Sequence, residues 1–230
     1  MKNLDQGMTT ETAIRQILKS PKAAEHIEAM GKALADETKR RHEFYNWIDE
    51  NIKAEFINGQ IIIHSPVKRE HWKTSDLLSR LLSFFTEFKN IGEVGTEKVM
   101  ISLTHNDYEP DLVFFKKEKV VGFKDGQVLF PAPDFVVEIL SKKTSINDRT
   151  VKKADYAAHG IQEYWIIDAQ KQIIEQYLLL NETDTEYFQP YIYRIDDDIT
   201  SRVITGFTIP VRAIFDGKVN IETLGKLMTL

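Results

Sequence analysis

From Pro133 to Ser141 the chain reads Pro-Asp-Phe-Val-Val-Glu-Ile-Leu-Ser, an apolar strand pattern with a carboxylate, Glu138, in its middle. A carboxylate inside an apolar strand is costly unless it is paired or binds a metal. Such a strand needs a cationic side chain or a metal beside it. Side chains alternate along a strand, so Asp134, Val136, Glu138 and Leu140 share one face. Phe135, Val137, Ile139 and Ser141 share the other.

A second run, Glu109-Pro110-Asp111-Leu112-Val113-Phe114-Phe115, sets another carboxylate at the start of an apolar strand. Shortly after the first run, a helix is predicted over about 146–159, with Ser145 and Asp148 as a capping-box-like start and Gly160 as its stop. Asp148, Lys152 and Tyr156 are spaced four apart and form one stripe of it. If that helix packs back on the sheet, Lys152 reaches the carboxylates. The chain has no cysteine, which excludes disulfides and thiolate metal sites. Two carboxylates then suit a hard cation, Mg²⁺ or Mn²⁺, held by Asp111 and Glu138. Such a metal polarises a phosphate and lowers the pKa of a bound water. Lys152 would stabilise the charge that develops in phosphodiester hydrolysis, or orient the attacking water. Tyr156 would hydrogen-bond a phosphate or hold Lys152.

Plainer readings stand beside these. Asp111 after a proline suits a strand start or turn, and Glu138 with Lys152 suits a structural ion pair. Lys152 alone also suits a solvated helix face. Asp148 reads as a helix-start residue, His71 as a surface or boundary histidine, and Tyr164 and Trp165 as core aromatics. The six histidines show no zinc-type spacing, and the chain lacks a glycine-rich phosphate loop and a serine nucleophile elbow.

The remaining pattern predicts a mixed α/β or α+β domain behind a helical extension. Residues 9–52 read as one short and one longer helix, with Ser20-Pro21 opening the second. Asn58-Gly59 between two apolar runs signals a hairpin over 54–64. An amphipathic helix follows over 68–89, its apolar stripe supplied by Leu77, Leu78, Leu81, Leu82, Phe84 and Phe85. Strands are expected near 93–103, 110–116, 133–140, 163–168, from there through about 180, at 187–193 and at 202–208. The tail, 211–230, is short and mixed. The expected division is 1–52 as a helical extension and 53–230 as the α/β domain.

At 230 residues and 42% hydrophobic content a sizeable core can form. No run reaches the roughly 18 apolar residues of a membrane span. Met1–Gln6 lacks a signal peptide's apolar stretch, so a cytoplasmic protein is expected. The net charge of −5 gives no bulk attraction to nucleic acid. A local basic face would have to serve, from Lys68, Arg69 and Lys73; Lys116, Lys117 and Lys119; Lys142 and Lys143; or Lys152 and Lys153. Solvated surface is the plain reading of each.

Glu55-Phe56-Ile57-Asn58-Gly59, His71, Pro110-Asp111, Pro133–Ser141, Asp148 with Lys152 and Tyr156, and Gly160–Asp168 come in an order that resembles the Uma-two family. These are bacterial restriction-endonuclease-like proteins of the PD-(D/E)XK nuclease superfamily. The resemblance covers roughly residues 53–215. It implies a mixed central sheet flanked by helices and a divalent-metal nuclease site. Asp111 matches the first acid and Glu138 the second; Glu55 matches an early glutamate that adds to the metal site. The superfamily's plain pattern has its lysine two residues after the second acid, where this chain has Leu140. Lys152 is the matching helical lysine of the variant pattern. The function implied is cleavage of a DNA phosphodiester with Mg²⁺ or Mn²⁺, in a homodimer if both strands are cut in one encounter. The alternatives are an RNA or branched substrate, and a non-catalytic module of the same fold that binds nucleic acid or a protein.

Overall fold

The computed structural model describes residues 10–141 and 144–229. Met1–Gln6 and the Lys142–Lys143 pair, both read above, lie outside the described residues. The chain divides into two compact units, the first ending at Asp49 and the second running Glu50–Leu230.

In the first unit, α1 (Thr10–Lys19) precedes α2 (Ala23–Trp47). The second helix starts two residues later than Ser20-Pro21 suggests. Lys22 is its N-cap, and the Lys22 backbone N–H donates to Ser20 Oγ at 3.2 Å. It ends at Trp47 rather than near residue 52.

The second unit opens with the expected hairpin, β1 (Ala54–Ile57) and β2 (Gln60–Ile63). Asn58 and Gly59 make the turn at φ 50° and 76°, the positive angles that a two-residue turn requires. Next come α3 (Arg69–Lys89), β3 (Gly92–Thr96), β4 (Met100–Ser102), β5 (Asp107–Tyr108), β6 (Leu112–Lys116) and α4 (Lys117–Val120). Then follow β7 (Leu129–Phe130), β8 (Phe135–Ile139), α5 (Ser145–Asn147), a π-helical segment Asp148–Lys152 and α6 (Lys153–Ala158). The chain closes with β9 (Glu163–Asp168), β10 (Ile173–Leu178), β11 (Tyr191–Tyr193), β12 (Asp198–Thr200), β13 (Thr208–Pro210), a 3₁₀ turn Val211–Ile214 and α7 (Gly217–Leu227).

The main sheet has the order β11-β10-β9-β8-β6-β3, with β8 and β9 parallel and the other pairs antiparallel. A second sheet runs β2-β1-β5-β4-β7. This is the α+β class that the pattern predicts and the mixed, helix-flanked sheet that the resemblance implies. Both faces of β8 are covered. Phe135, Val137 and Ile139 pack in one core with Leu78, Leu81, Leu82 and Phe85 of α3, while Val136 packs in the other with Tyr156, Tyr164 and Ile166. Each fully buried side chain of this kind contributes about 1.5–3 kcal/mol. Tyr164 and Trp165 are core aromatics, as expected.

Three boundaries differ from expectation. The run 93–103 is two strands in two sheets, because Glu97 and Lys98 adopt positive φ and turn the chain between them. Residues 202–207 form a loop rather than a strand. Glu163 captures it, its Oε2 accepting the backbone N–H groups of Arg202 and Val203 at 2.8 and 2.9 Å, so pairing begins only at Thr208. Of 187–193 only Tyr191–Tyr193 is strand; Tyr187 instead donates its hydroxyl to the Ile161 carbonyl at 2.8 Å. No helix among the described residues is long and apolar enough to cross a membrane.

Candidate active site

Asp111 and Glu138 come from neighbouring strands of the main sheet and meet on the floor of one pocket of about 500 Å³. Asp111 immediately precedes β6, and the antiparallel β6–β8 register sets Leu112 opposite Val137. Asp111 Oδ2 therefore accepts the Ile139 backbone N–H of β8 at 2.8 Å. The same oxygen lies 3.2 Å from His71 Nε2, and Oδ1 lies 3.3 Å from Lys53 Nζ. Burial opposes ionisation, but His71, Lys53 and the Ile139 N–H hold the Asp111 carboxyl well below the usual carboxylate range.

Lys152 is buried to 1% exposure and sits among three carboxylates: Glu55 Oε1 at 2.7 Å, Glu138 Oε1 at 2.9 Å and Asp148 Oδ1 at 3.5 Å. Its ammonium also lies 5.7 Å from the centre of the Tyr108 ring. Tyr156 donates its hydroxyl to Glu138 Oε1 at 2.9 Å. The helix carrying these groups is interrupted by the π segment, a feature that recurs at functional sites. Asp148 and Lys152, the two ends of that segment, are both buried. The capping-box start is replaced by a different arrangement. Ser145 lies inside the helix, and Thr144 donates its hydroxyl to Asp148 Oδ2 at 3.0 Å.

The predicted residues thus fall in two adjoining groups, Asp111 with His71, and Lys152 with Glu138, Glu55 and Tyr156. The plain readings of two are refined. His71 stands at the boundary of the pocket rather than at an open surface, buried against Asp111 because it faces the sheet from the first turn of α3. Asp148 is buried against Lys152 and does more than start a helix. Lys153, by contrast, faces away, 5.3 Å from the Tyr177 ring. Lys119 is paired with Asp134 at 3.1 Å, and Lys116 donates to Gln162 at 3.0 Å.

Two members went unread in the sequence. Lys53 pairs with Asp111, and His64 places its Nε2 3.1 Å from Glu55 Oε2. Both flank the β1–β2 hairpin, and antiparallel pairing brings its ends together, with the His64 N–H donating to the Lys53 carbonyl at 2.9 Å. The hairpin was legible, so its two ends were the available signal.

The carboxylates outnumber the ammonium groups. Among the described residues, Glu55, Asp111, Glu138 and Asp148 face two ammonium groups, Lys53 and Lys152, and two imidazoles, His64 and His71. Lys152 and His64 hold Glu55 below its ordinary value against the cost of burial. Glu138 takes the consequence: burial, with Asp148, Asp111 and Glu55 added and Lys152 opposing, pushes its carboxyl up to about 8. A network short of positive charge, built from hard oxygen donors and open to a pocket, fits a divalent cation. Among the described residues no three acidic or histidine side chains converge into a ready-made cage. Mg²⁺ does not require one, since it keeps several waters and takes one or two carboxylates.

The family model described as "Putative restriction endonuclease", Uma2, matches residues 41–212. The chain belongs to the Uma2 family. A solved structure from Anabaena variabilis, described as "a putative nuclease belonging to DUF820", is similar with a TM-score of 0.65 at 18% sequence identity. The match covers 76% of this chain and 96% of that one, and it shows a shared fold. No curated protein matches the chain.

Proposed function

We propose that this Uma2 protein is a divalent-metal-dependent endonuclease that hydrolyses DNA phosphodiester bonds in the pocket of the Glu50–Leu230 unit. The observation that carries the reading is the buried Lys152 held at 2.9 Å from Glu138, beside Asp111, in a cluster with more carboxylates than ammonium groups. A purely structural ion pair needs one acid per base. Here four carboxylates, Glu55, Asp111, Glu138 and Asp148, gather about two ammonium groups, and Asp111 and Glu138 open onto a pocket, which suits a site that takes up a cation.

Asp111 and Glu138 would hold Mg²⁺ or Mn²⁺. Bound there, the metal supplies Lewis-acid polarisation of the phosphoryl group and a water of lowered pKa. Asp111 is ready for this, because its neighbours keep it ionised. Glu138, whose protonated form burial favours, would give up any proton it holds on taking a cation. Lys152 stays protonated, as its three carboxylate neighbours raise its pKa well above the usual value despite burial. It therefore serves as a fixed positive charge that stabilises the developing phosphorane-like charge, in the place left by Leu140. Tyr156 and Glu55 hold Lys152 and Glu138 in register, and His71 orients Asp111 as a positioning residue.

The test is cleavage of supercoiled and linear DNA and of single-stranded RNA in Mg²⁺, Mn²⁺ or EDTA. Wild type is compared with folded Asp111→Ala, Glu138→Ala and Lys152→Ala. The proposal expects metal-dependent cutting of DNA, reduced at least ~100-fold in each variant, the scale of losing a main transition-state stabiliser. Cutting that persists in EDTA or in the acid variants contradicts it. No cutting by wild type, with no Mn²⁺ binding, would instead favour a binding module on the same fold.

A further inference from the structure

The fold commits one oxygen of Asp111 and leaves the other replaceable. Oδ2 is fixed by the Ile139 backbone N–H and by His71. Oδ1 faces the side chain of Lys53 at 3.3 Å. Any cation that takes Asp111 through Oδ1 must therefore compete with the Lys53 ammonium. Lys53 is suited to give way. Its backbone is pinned at the base of the hairpin by the His64 N–H, yet its charge rides on a flexible four-carbon stem, 18% exposed. It lines the same pocket as Asp111, Glu138 and Lys152. Lys152 differs in being enclosed by three carboxylates and 1% exposed. The two lysines of the site thus divide into one fixed and one displaceable charge.

Resting on the reading of this pocket as a divalent-cation nuclease site, we propose that Lys53 is a displaceable counter-ion. It holds Asp111 in the cation-free protein, yields Oδ1 when a divalent cation binds, and then offers its ammonium to a phosphate oxygen of the substrate. The hand-over keeps Asp111 paired in both states. It also couples metal uptake to substrate capture, because the charge released by one becomes available to the other.

The two halves have opposite signatures. Removing a competitor tightens metal binding, whereas removing a phosphate contact weakens substrate binding. Full-length wild type, Lys53→Met and Lys53→Arg, each checked for folding by circular dichroism, are titrated with Mn²⁺ by calorimetry. A duplex oligonucleotide is then titrated in Ca²⁺, and a gel checks that it stays uncut during the titration. Lys53→Met is expected to bind Mn²⁺ about tenfold more tightly, equivalent to ~1.4 kcal/mol, and to bind the oligonucleotide several-fold more weakly. Lys53→Arg, which keeps the charge, stays near wild type in Mn²⁺ affinity. If Lys53→Met does not fold, Lys53→Gln takes its place. Unchanged or weaker Mn²⁺ binding by the neutral variant overturns the competition. Tighter Mn²⁺ with unchanged oligonucleotide binding overturns the hand-over. Either result leaves the nuclease reading standing, whereas no Mn²⁺ binding by wild type or any variant removes that reading and this proposal together.

Discussion

Glu138 concentrates the chemistry of the pocket in one titration. Its folded value of about 8 lies above the ordinary 4.5, with burial as the main cause. An acid raised on folding adds stability that is fully present below its unfolded value and is lost as pH rises through its folded value. Asp111 has the opposite sign: held low, it adds stability above its ordinary 3.8 that is lost on acidification. Burial raises Asp148 and Glu109 in the same direction, so the loss of stability above about pH 5 is shared among the raised acids, and a substitution at Glu138 isolates its part. In EDTA, Glu138→Gln should match wild type in melting temperature at the acidic end and exceed it at the alkaline end. A wild type that gains on the variant as pH rises would mean that Glu138 is ionised and fully paired without metal. Glu138 and Asp111 were legible in the sequence because a carboxylate in an apolar strand is anomalous, and Lys152 because it falls on one helical stripe with Asp148 and Tyr156. Lys53 was not, as it meets Asp111 across 58 residues of sequence and only through strand pairing.

At the scale of elements, the strands that carry the acids are positioned by close backbone packing at their edge. Gly92 opens β3, and a Cβ there would lie 2.1 Å from the Phe115 carbonyl oxygen and 2.7 Å from the Phe114 ring, both on β6. The strand that follows Asp111 would have to move to admit it. Gly92→Ala should cost about 1–3 kcal/mol, the usual penalty of overpacking, and lower the melting temperature by several degrees. An unchanged melt would show that the β3–β6 edge is looser than this packing requires. The hairpin, α3 and β8 were readable because period and turn chemistry agree there. The break at Glu97–Lys98 and the π segment were not. Neither residue at the break is a turn former, and a π segment differs from an α-helix by one residue of hydrogen-bond register, which side-chain periodicity does not record.

For the whole molecule, charge and architecture lead to the same dependence. A net charge of −5 repels nucleic acid at long range. The pocket itself sets Lys53, Lys68, Arg149, Lys152 and Lys171 against Glu70, Glu109, Asp111, Glu138 and Asp168, so its own side chains supply no excess of positive charge. On the proposed reading, a bound cation would turn such a pocket toward a phosphate. The Glu50–Leu230 unit holds every residue assigned to it. The most direct test is a crystal structure grown with Mn²⁺ and read by anomalous diffraction over the whole molecule. The expected result is a peak between Asp111 and Glu138, absent from Asp111→Asn crystals. A pocket without a peak at saturating Mn²⁺, or a peak that persists in Asp111→Asn, would contradict the assignment of this pocket as the metal-dependent nuclease site.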